Sequence, residues 1–202
     1  MGDDFSAPAS EENVPPHMSS AELECYRRHL TTARAVLEYG AGGSTVLAAQ
    51  SGVASLYTVD TDPAWLATVQ AHPAVARMIT SGKATLAHID LGETKRWGKP
   101  RNKLGFWRWP RYAARPWLDG FRPDLVLVDG RFRVSCIMRA LRDGGEGIKI
   151  AVHDFQRRHY QPALQFASVL DKVDNLVVLQ PRPAARQWRA NLFALRHRYD
   201  TR

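Results

Sequence analysis

The feature that most constrains this chain is a series of short apolar runs, each ending at or beside an ionisable residue and each trailed by a helical pattern. The runs are ARAVLEYG (33–40), SLYTV (55–59), ATLAHI (84–89), DLVLV (124–128) and IKIAV (148–152). At their ends stand Glu38, Asp60, Asp90, Asp129 and the pair His153-Asp154. DLVLV is almost wholly apolar, the mark of a strand covered on both faces. Between the runs, Ser19 with Glu22 three residues on opens a helix to about Leu30, and 44–52 reads as a helix closed by Gly52. Asp62-Pro63 starts another, to about Arg77, and further helices fit Arg133–Arg142 and Pro162–Leu170. This alternation predicts an α/β fold, a doubly wound, mostly parallel sheet. The ending breaks the pattern. NLVVL (175–179) and NLFALR (191–196) are separated by 11 residues that include Pro181 and Pro183, too short for a crossover helix. They predict a C-terminal antiparallel hairpin, bringing the sheet to seven strands.

Composition narrows the class. The 202 residues are 45% apolar, which suits one globular domain (18–202) with residues 1–17 as a flexible, proline-containing arm. No apolar run approaches the roughly 20 residues that cross a bilayer, so no membrane role is expected. The acidic start does not resemble a secretory signal, and Cys25 and Cys136 offer neither a disulfide framework nor metal-site spacing. A cytoplasmic protein is the simplest expectation. With 28 Lys+Arg against 20 Asp+Glu the net charge is +8. The excess gathers at 93–115, where basic residues interleave with Trp97, Phe106, Trp107, Trp109 and Tyr112, and at 182–198. These stretches suit an anionic substrate or a solvated basic face.

In open parallel sheets ligands bind beyond the carboxyl ends of the strands, where strand order reverses. The first strand ends in Glu38-Tyr39-Gly40-Ala41-Gly42-Gly43-Ser44-Thr45. Its glycines allow a tight turn, and the next helix aims free N–H groups at any carboxylate or phosphate there. Asp60 follows the glycines by about 20 residues, the place from which a carboxylate accepts both hydroxyls of a ribose. Carboxylates collected at one sheet edge repel each other and suit a cationic or hydroxyl-rich ligand.

With these residues in place, the chain resembles class I S-adenosylmethionine-dependent methyltransferases. VLEYGAGGST looks like the family's first motif, LYTVDTDPAW the second, HIDLGE the third, PDLVLVDGRFR the fourth and IKIAVHDF the fifth-strand region. The resemblance covers about residues 20–197 and is strongest toward the small, methyltransferase-like members. It implies the family's Rossmann-like fold and S-adenosylmethionine as cofactor. Glu38 would serve the ammonium, and Gly40, Ala41, Gly42, Ser44 and Thr45 the carboxylate end. Asp60, with Thr61 beside it, would serve the ribose and Asp90 the adenine amino group. A nicotinamide dinucleotide fits less well, since Thr45 stands where the third glycine of GxGxxG belongs.

On the reaction side we expect Asp129, His153 and Asp154 to act, with His153 having the ordinary pKa of a base. No metal is expected. His-Asp-Phe stands where metal-using oxygen methyltransferases carry Asp-Asn, and two carboxylates fall short of a hard cation's six oxygens. A nucleic-acid acceptor is not favoured, because neither an Asn/Asp-Pro-Pro-Tyr/Phe signature nor a Pro-Cys nucleophile is present. The expected function is methyl transfer to a small or medium-sized acceptor, with an anionic acceptor and an oxygen acceptor atom as the finer expectation. The alternative is a non-catalytic or RNA-directed cofactor-binding protein on the same scaffold.

Overall fold

The computed structural model describes residues 14–95, 98–156, 160–183 and 188–201. Arm residues 1–13, Arg96 and Trp97 of the basic aromatic segment, and Arg186 of the C-terminal cluster lie outside the described residues. Helix α1 (Ser20–Leu30) starts where the sequence predicts. Ser19 Oγ accepts from Glu22 N, and Glu22 Oε2 accepts from Ser19 N at 2.8 Å. The chain then alternates β1 (Ala35–Tyr39), α2 (Gly43–Gln50), β2 (Ser55–Asp60), α3 (Pro63–Ala71), α4 (Pro73–Thr80) and β3 (Ala84–His88). After β3 come a small antiparallel pair, β4 (Thr94–Lys95) and β5 (Lys99–Pro100), and helix α5 (Pro110–Leu118). Next are β6 (Leu125–Val128), α6 (Arg133–Asp143), β7 (Lys149–Val152), β8 (Ala167–Val173), β9 (Leu176–Pro181) and α7 (Trp188–His197).

The main sheet has seven strands in the order β3-β2-β1-β6-β7-β9-β8. Pairing is parallel from β3 through β7 and antiparallel for β9 with β7 and with β8. The fold is therefore the expected Rossmann-like, mostly parallel sheet with an antiparallel hairpin at its edge. Strand order reverses between β1 and β6. Side-chain alternation splits the core in two. Leu37, Tyr39, Val126, Val128, Ile150 and Val152 join the cluster that includes α5 and α6. Val36, Leu125, Leu127 and Ala151 join the one that includes α1 and α2. Tyr39 also clamps α5, donating to Ala113 O at 2.7 Å and accepting from Trp117 Nε1 at 2.9 Å.

Three local expectations change. The helix expected from Asp62 to Arg77 is two helices, because a residue before proline is pushed out of helical ψ. His72, at φ −63 and ψ 129, ends α3 and caps α4 through its ring. The helix expected over Pro162–Leu170 is a 3-10 turn (Gln161–Phe166) running into β8. The strand expected over 191–196 lies inside α7, where Ala190, Phe193, Ala194 and His197 recur at helical spacing; Ala190, Phe193 and Ala194 join the core. The hairpin is thus built from β8 and β9. Its two-residue turn, Asp174-Asn175, places Asp174 at φ 47 as such turns require.

The sheet's switch point is held by contact between two backbones. A Cβ on Gly40, which sits at φ +102, would come within 2.8 Å of Gly130 Cα and N. We expect Gly40→Ala to lower stability by about 2–3 kcal/mol, from left-handed strain plus a clash that backbone cannot yield to. Urea unfolding measures this, and a loss under about 0.5 kcal/mol would contradict the tight approach.

Candidate functional site

The site begins at the bend after β1. Gly40 N donates to Val59 O at 2.8 Å and Asp129 N to Tyr39 O at 3.0 Å, so the ends of β2, β1 and β6 are stitched together. Beneath the bend Glu38 is fully buried and accepts from the hydroxyls of Ser44, Thr45 and Thr58. Burial pushes its pKa up to about 8, although the three hydroxyls pull the other way. Glu38 thus fixes the first turn of α2 from below and makes no surface of its own. Thr45 Oγ1 in turn accepts from Gly42 N at 2.9 Å.

Asp60, at the end of β2, turns toward the bend. Its Oδ2 accepts from Ala41 N at 2.8 Å, and its Oδ1 accepts from Thr61 N at 2.6 Å and Asp62 N at 3.0 Å. Burial raises its pKa against these three N–H groups. A carboxylate with about four acceptor positions retains room for one more donor. Trp65 Nε1 donates to Ala41 O at 2.7 Å, so an indole stands at the rim. Tyr112 sets its buried hydroxyl against Gly130, 3.4 Å from both Val59 O and Arg131 N. At the other end of the bend, the backbone of Val14, Pro15 and Pro16 lies directly on Gly43, where any Cβ would collide with it. No Cβ contact exists at Gly42, the open part of the turn.

Thr61 and Asp90 hold the loop beyond β3. Thr61 is buried and donates from Oγ1 to Gly98 O at 3.2 Å. Asp90 accepts from Gly92 N at 2.8 Å and pairs with Arg108 at 2.5 Å on an exposed carboxylate. Asp90 is therefore engaged with its own loop, and no hydrogen bond or ion pair joins it to the bend among the described residues.

The structure brings Asp129, His153 and Asp154 together around a residue that sequence reasoning passed over. Arg133, the first residue of α6, is only 6% exposed in its side chain. Nε donates to Gly130 O at 3.0 Å, and Nη2 to Asp129 O at 2.9 Å and Oδ1 at 3.0 Å. Nη1 donates to His153 O at 2.6 Å and reaches Asp154 Oδ2 at 3.4 Å. His153 lies between two carboxylates, with Nδ1 3.1 Å from Asp129 Oδ1 and Nε2 3.4 Å from Glu22 Oε2. Burial lowers its pKa, but the bond to Asp129 and the charges of Asp129, Asp154 and Glu22 outweigh it and hold the ring above its ordinary value. Glu22, read in the sequence as a helix-capping residue, is buried and also accepts from Asn175 N at 2.7 Å. Its long-range role leaves no mark in the local pattern. Arg133 was visible only as part of DGRFR.

The buried Glu38 gives a pH dependence with a definite sign. Its pKa is higher folded than unfolded, so the native state holds the proton more tightly and stability falls as pH rises from about 4.5 toward about 8. Glu38→Gln keeps the shape without the charge. In urea unfolding the wild type should lose ground to Glu38→Gln between about pH 5 and about pH 8; a pH-independent difference between the two would contradict a carboxyl buried in this way.

No protein-family model matches the chain, and no curated protein matches it. Solved structures do. A methyltransferase-like protein from Silicibacter pomeroyi is 29% identical, with a TM-score of 0.80 over 93% of this chain and 100% of that one. An O-methyltransferase from Bacillus cereus, crystallised with SAH, is 14% identical with a TM-score of 0.56 over 83% and 84%. A ribosomal protein L11 methylase from Lactobacillus delbrueckii is 12% identical with a TM-score of 0.50 over 80% and 77%. The last two share the fold alone. With the bend at the switch point and the acidic strand ends, the Silicibacter likeness shows that this chain is similar in fold to class I methyltransferase-like proteins.

Proposed function

We propose that the protein is an S-adenosylmethionine-dependent methyltransferase acting on a small or medium-sized acceptor. The observation that carries this reading is the placement of Asp60, which faces the Gly40–Gly42 bend at the strand-order switch with an acceptor position to spare. The bend fits the cofactor's amino-acid end: Gly42 leaves an open approach, and α2 begins there with its N–H groups. Gly40, Ala41, Gly42, Ser44 and Thr45 would hold that end, the last two kept in place by Glu38 from beneath. Asp60 and Thr61 would meet the ribose side, and Asp90, through its loop, the adenine side. The cofactor supplies the electrophilic methyl group on its sulfonium.

The chain's own residues then align the acceptor and take its proton. Asp129 is the group we assign as base. Its Oδ1 is occupied by Arg133 and His153, while its Oδ2 accepts no hydrogen bond among the described residues. His153, flanked by Asp129 and Glu22, keeps Asp129 oriented rather than acting first itself. Asp154, at φ 57 after β7, stands beside Arg133 to orient the acceptor. Oxygen remains our proposed acceptor atom. An anionic acceptor is supported by the loop after β3, where Phe106 and Trp107 are 46% and 64% exposed beside Arg101, Lys103, Arg108 and Arg111. The same loop supports the RNA-directed reading, which steep salt dependence of RNA binding would favour. No described helix is long and apolar enough to cross a membrane. A cytoplasmic setting is proposed, in keeping with two buried free cysteines.

Calorimetry with S-adenosylmethionine and S-adenosylhomocysteine tests the reading. We expect both to bind at micromolar concentration, and Asp60→Ala, checked for fold by circular dichroism, to weaken them at least about tenfold, the order of one lost charged hydrogen bond. Failure of both compounds at millimolar concentration, or equal binding by Asp60→Ala, would overturn it.

A further inference from the structure

A second cluster of chemistry-bearing side chains joins α1 to the edge strand β8. Cys25 and His29 lie four residues apart on one face of α1, and Asp171 reaches them from β8. Cys25 Sγ stands 3.3 Å from Asp171 Oδ2, and His29 Nε2 stands 3.4 Å from the same oxygen. The three ligand atoms all lie within 4.8 Å of one another. Zinc bonds of about 2.3 Å to sulfur and about 2.0–2.2 Å to nitrogen or oxygen, at tetrahedral angles, separate their ligand atoms by about 3.3–3.6 Å. Both edges through Oδ2 already meet that spacing.

The environment adds a second, independent reason. Cys25 is fully buried, and His29 Nε2 is buried with only the 3.4 Å contact to Asp171 Oδ2, which lacks the geometry of a hydrogen bond. A buried polar atom left unsatisfied costs free energy that a bound ion would recover. The Cys25 thiol donates its hydrogen to Oδ2, which puts a proton between two ligand atoms where a metal ion would stand. Arg28 Nη2 shares that oxygen at 2.9 Å, but its side chain is half exposed and free to withdraw.

We propose that Cys25, His29 and Asp171 form a site for a divalent ion of the zinc class, with a water completing the tetrahedron. The donor set of one thiolate, one imidazole and one carboxylate is the mixture zinc takes. On binding, the sulfur–metal bond forms as the thiol proton leaves to solvent, and no electron is transferred. Thiolate and carboxylate together balance the ion's two charges. The ion would fasten α1, whose Glu22 touches His153, to the edge of the sheet. This inference stands apart from the methyl-transfer reading, and its failure would leave that reading untouched.

Cobalt titration of the reduced, untagged, chelator-treated full chain provides the test, since Co2+ bound by a thiolate gives a sulfur-to-metal charge-transfer band. We expect saturation at one equivalent, visible bands of a four-coordinate ion, displacement by Zn2+ and a higher melting temperature with Zn2+. Cys25→Ser should abolish the charge-transfer band, Asp171→Asn should lose saturable binding, and Cys136→Ser should leave both intact. Asp171 lies on the edge strand, so Asp171→Asn remains informative if Cys25→Ser fails to fold. No saturable band, a band that survives Cys25→Ser, or one that disappears with Cys136→Ser would overturn the site.

Discussion

The guanidinium of Arg133 is the interaction on which the proposed reaction side of this molecule depends. A buried cation at the first position of a helix opposes the helix dipole and loses its water. It is tolerated because three carbonyls and two carboxylates converge on it from the ends of β6 and β7. Removing one member of such a buried charge group costs far more than the group contributes over an apolar replacement. The arrangement therefore reads as a device for geometry, holding Asp129, His153 and Asp154 in one place. Phe132 shows what that geometry demands. It adopts φ 53, a conformation L residues avoid, and its ring is held between Trp109 and Tyr112 at centroid distances of 5.8 and 5.6 Å.

The proposed cofactor side is held by a different means. There the chain brings backbones into contact, Gly40 on Gly130, and uses a buried carboxyl, Glu38, to brace hydroxyls at the start of α2. One half of the site thus rests on charge and the other on close packing. Tyr112 links them, since its hydroxyl lies against Gly130 while its ring packs on Tyr39 of β1 and on Phe132.

Much of the fold was legible because parallel strands must be buried on both faces, and runs such as LVLV show it without a partner in view. The glycine bend and the acids at the strand ends were legible for the same reason, as they follow each run at fixed offsets. The C-terminal third was harder. An edge strand such as β8 is covered on one side only and carries Asp171 and Lys172, so its pattern passes for a helix. In α7 the apolar residues of NLFALR fit either period until Ala190 and His197 are added. The break at His72-Pro73 follows from proline's local sterics and was within reach of the sequence.

The site was legible in its acids and hidden in its partners. Carboxylates at strand ends announce themselves by position, whereas Arg133 and Glu22 act through residues about 20 to 150 positions away. Cys25 and His29 escaped for a related reason: a search for paired cysteines does not register a thiol and an imidazole one helical turn apart, completed by a strand far along the chain.

The central claim is that a nucleoside ligand settles on the bend after β1. Hydrogen exchange at the amides of residues 41–45, with and without S-adenosylhomocysteine, tests it most directly. The account predicts slowed exchange at those amides and at Thr61 once the ligand is added; unchanged exchange there, or protection confined to other parts of the chain, would contradict it.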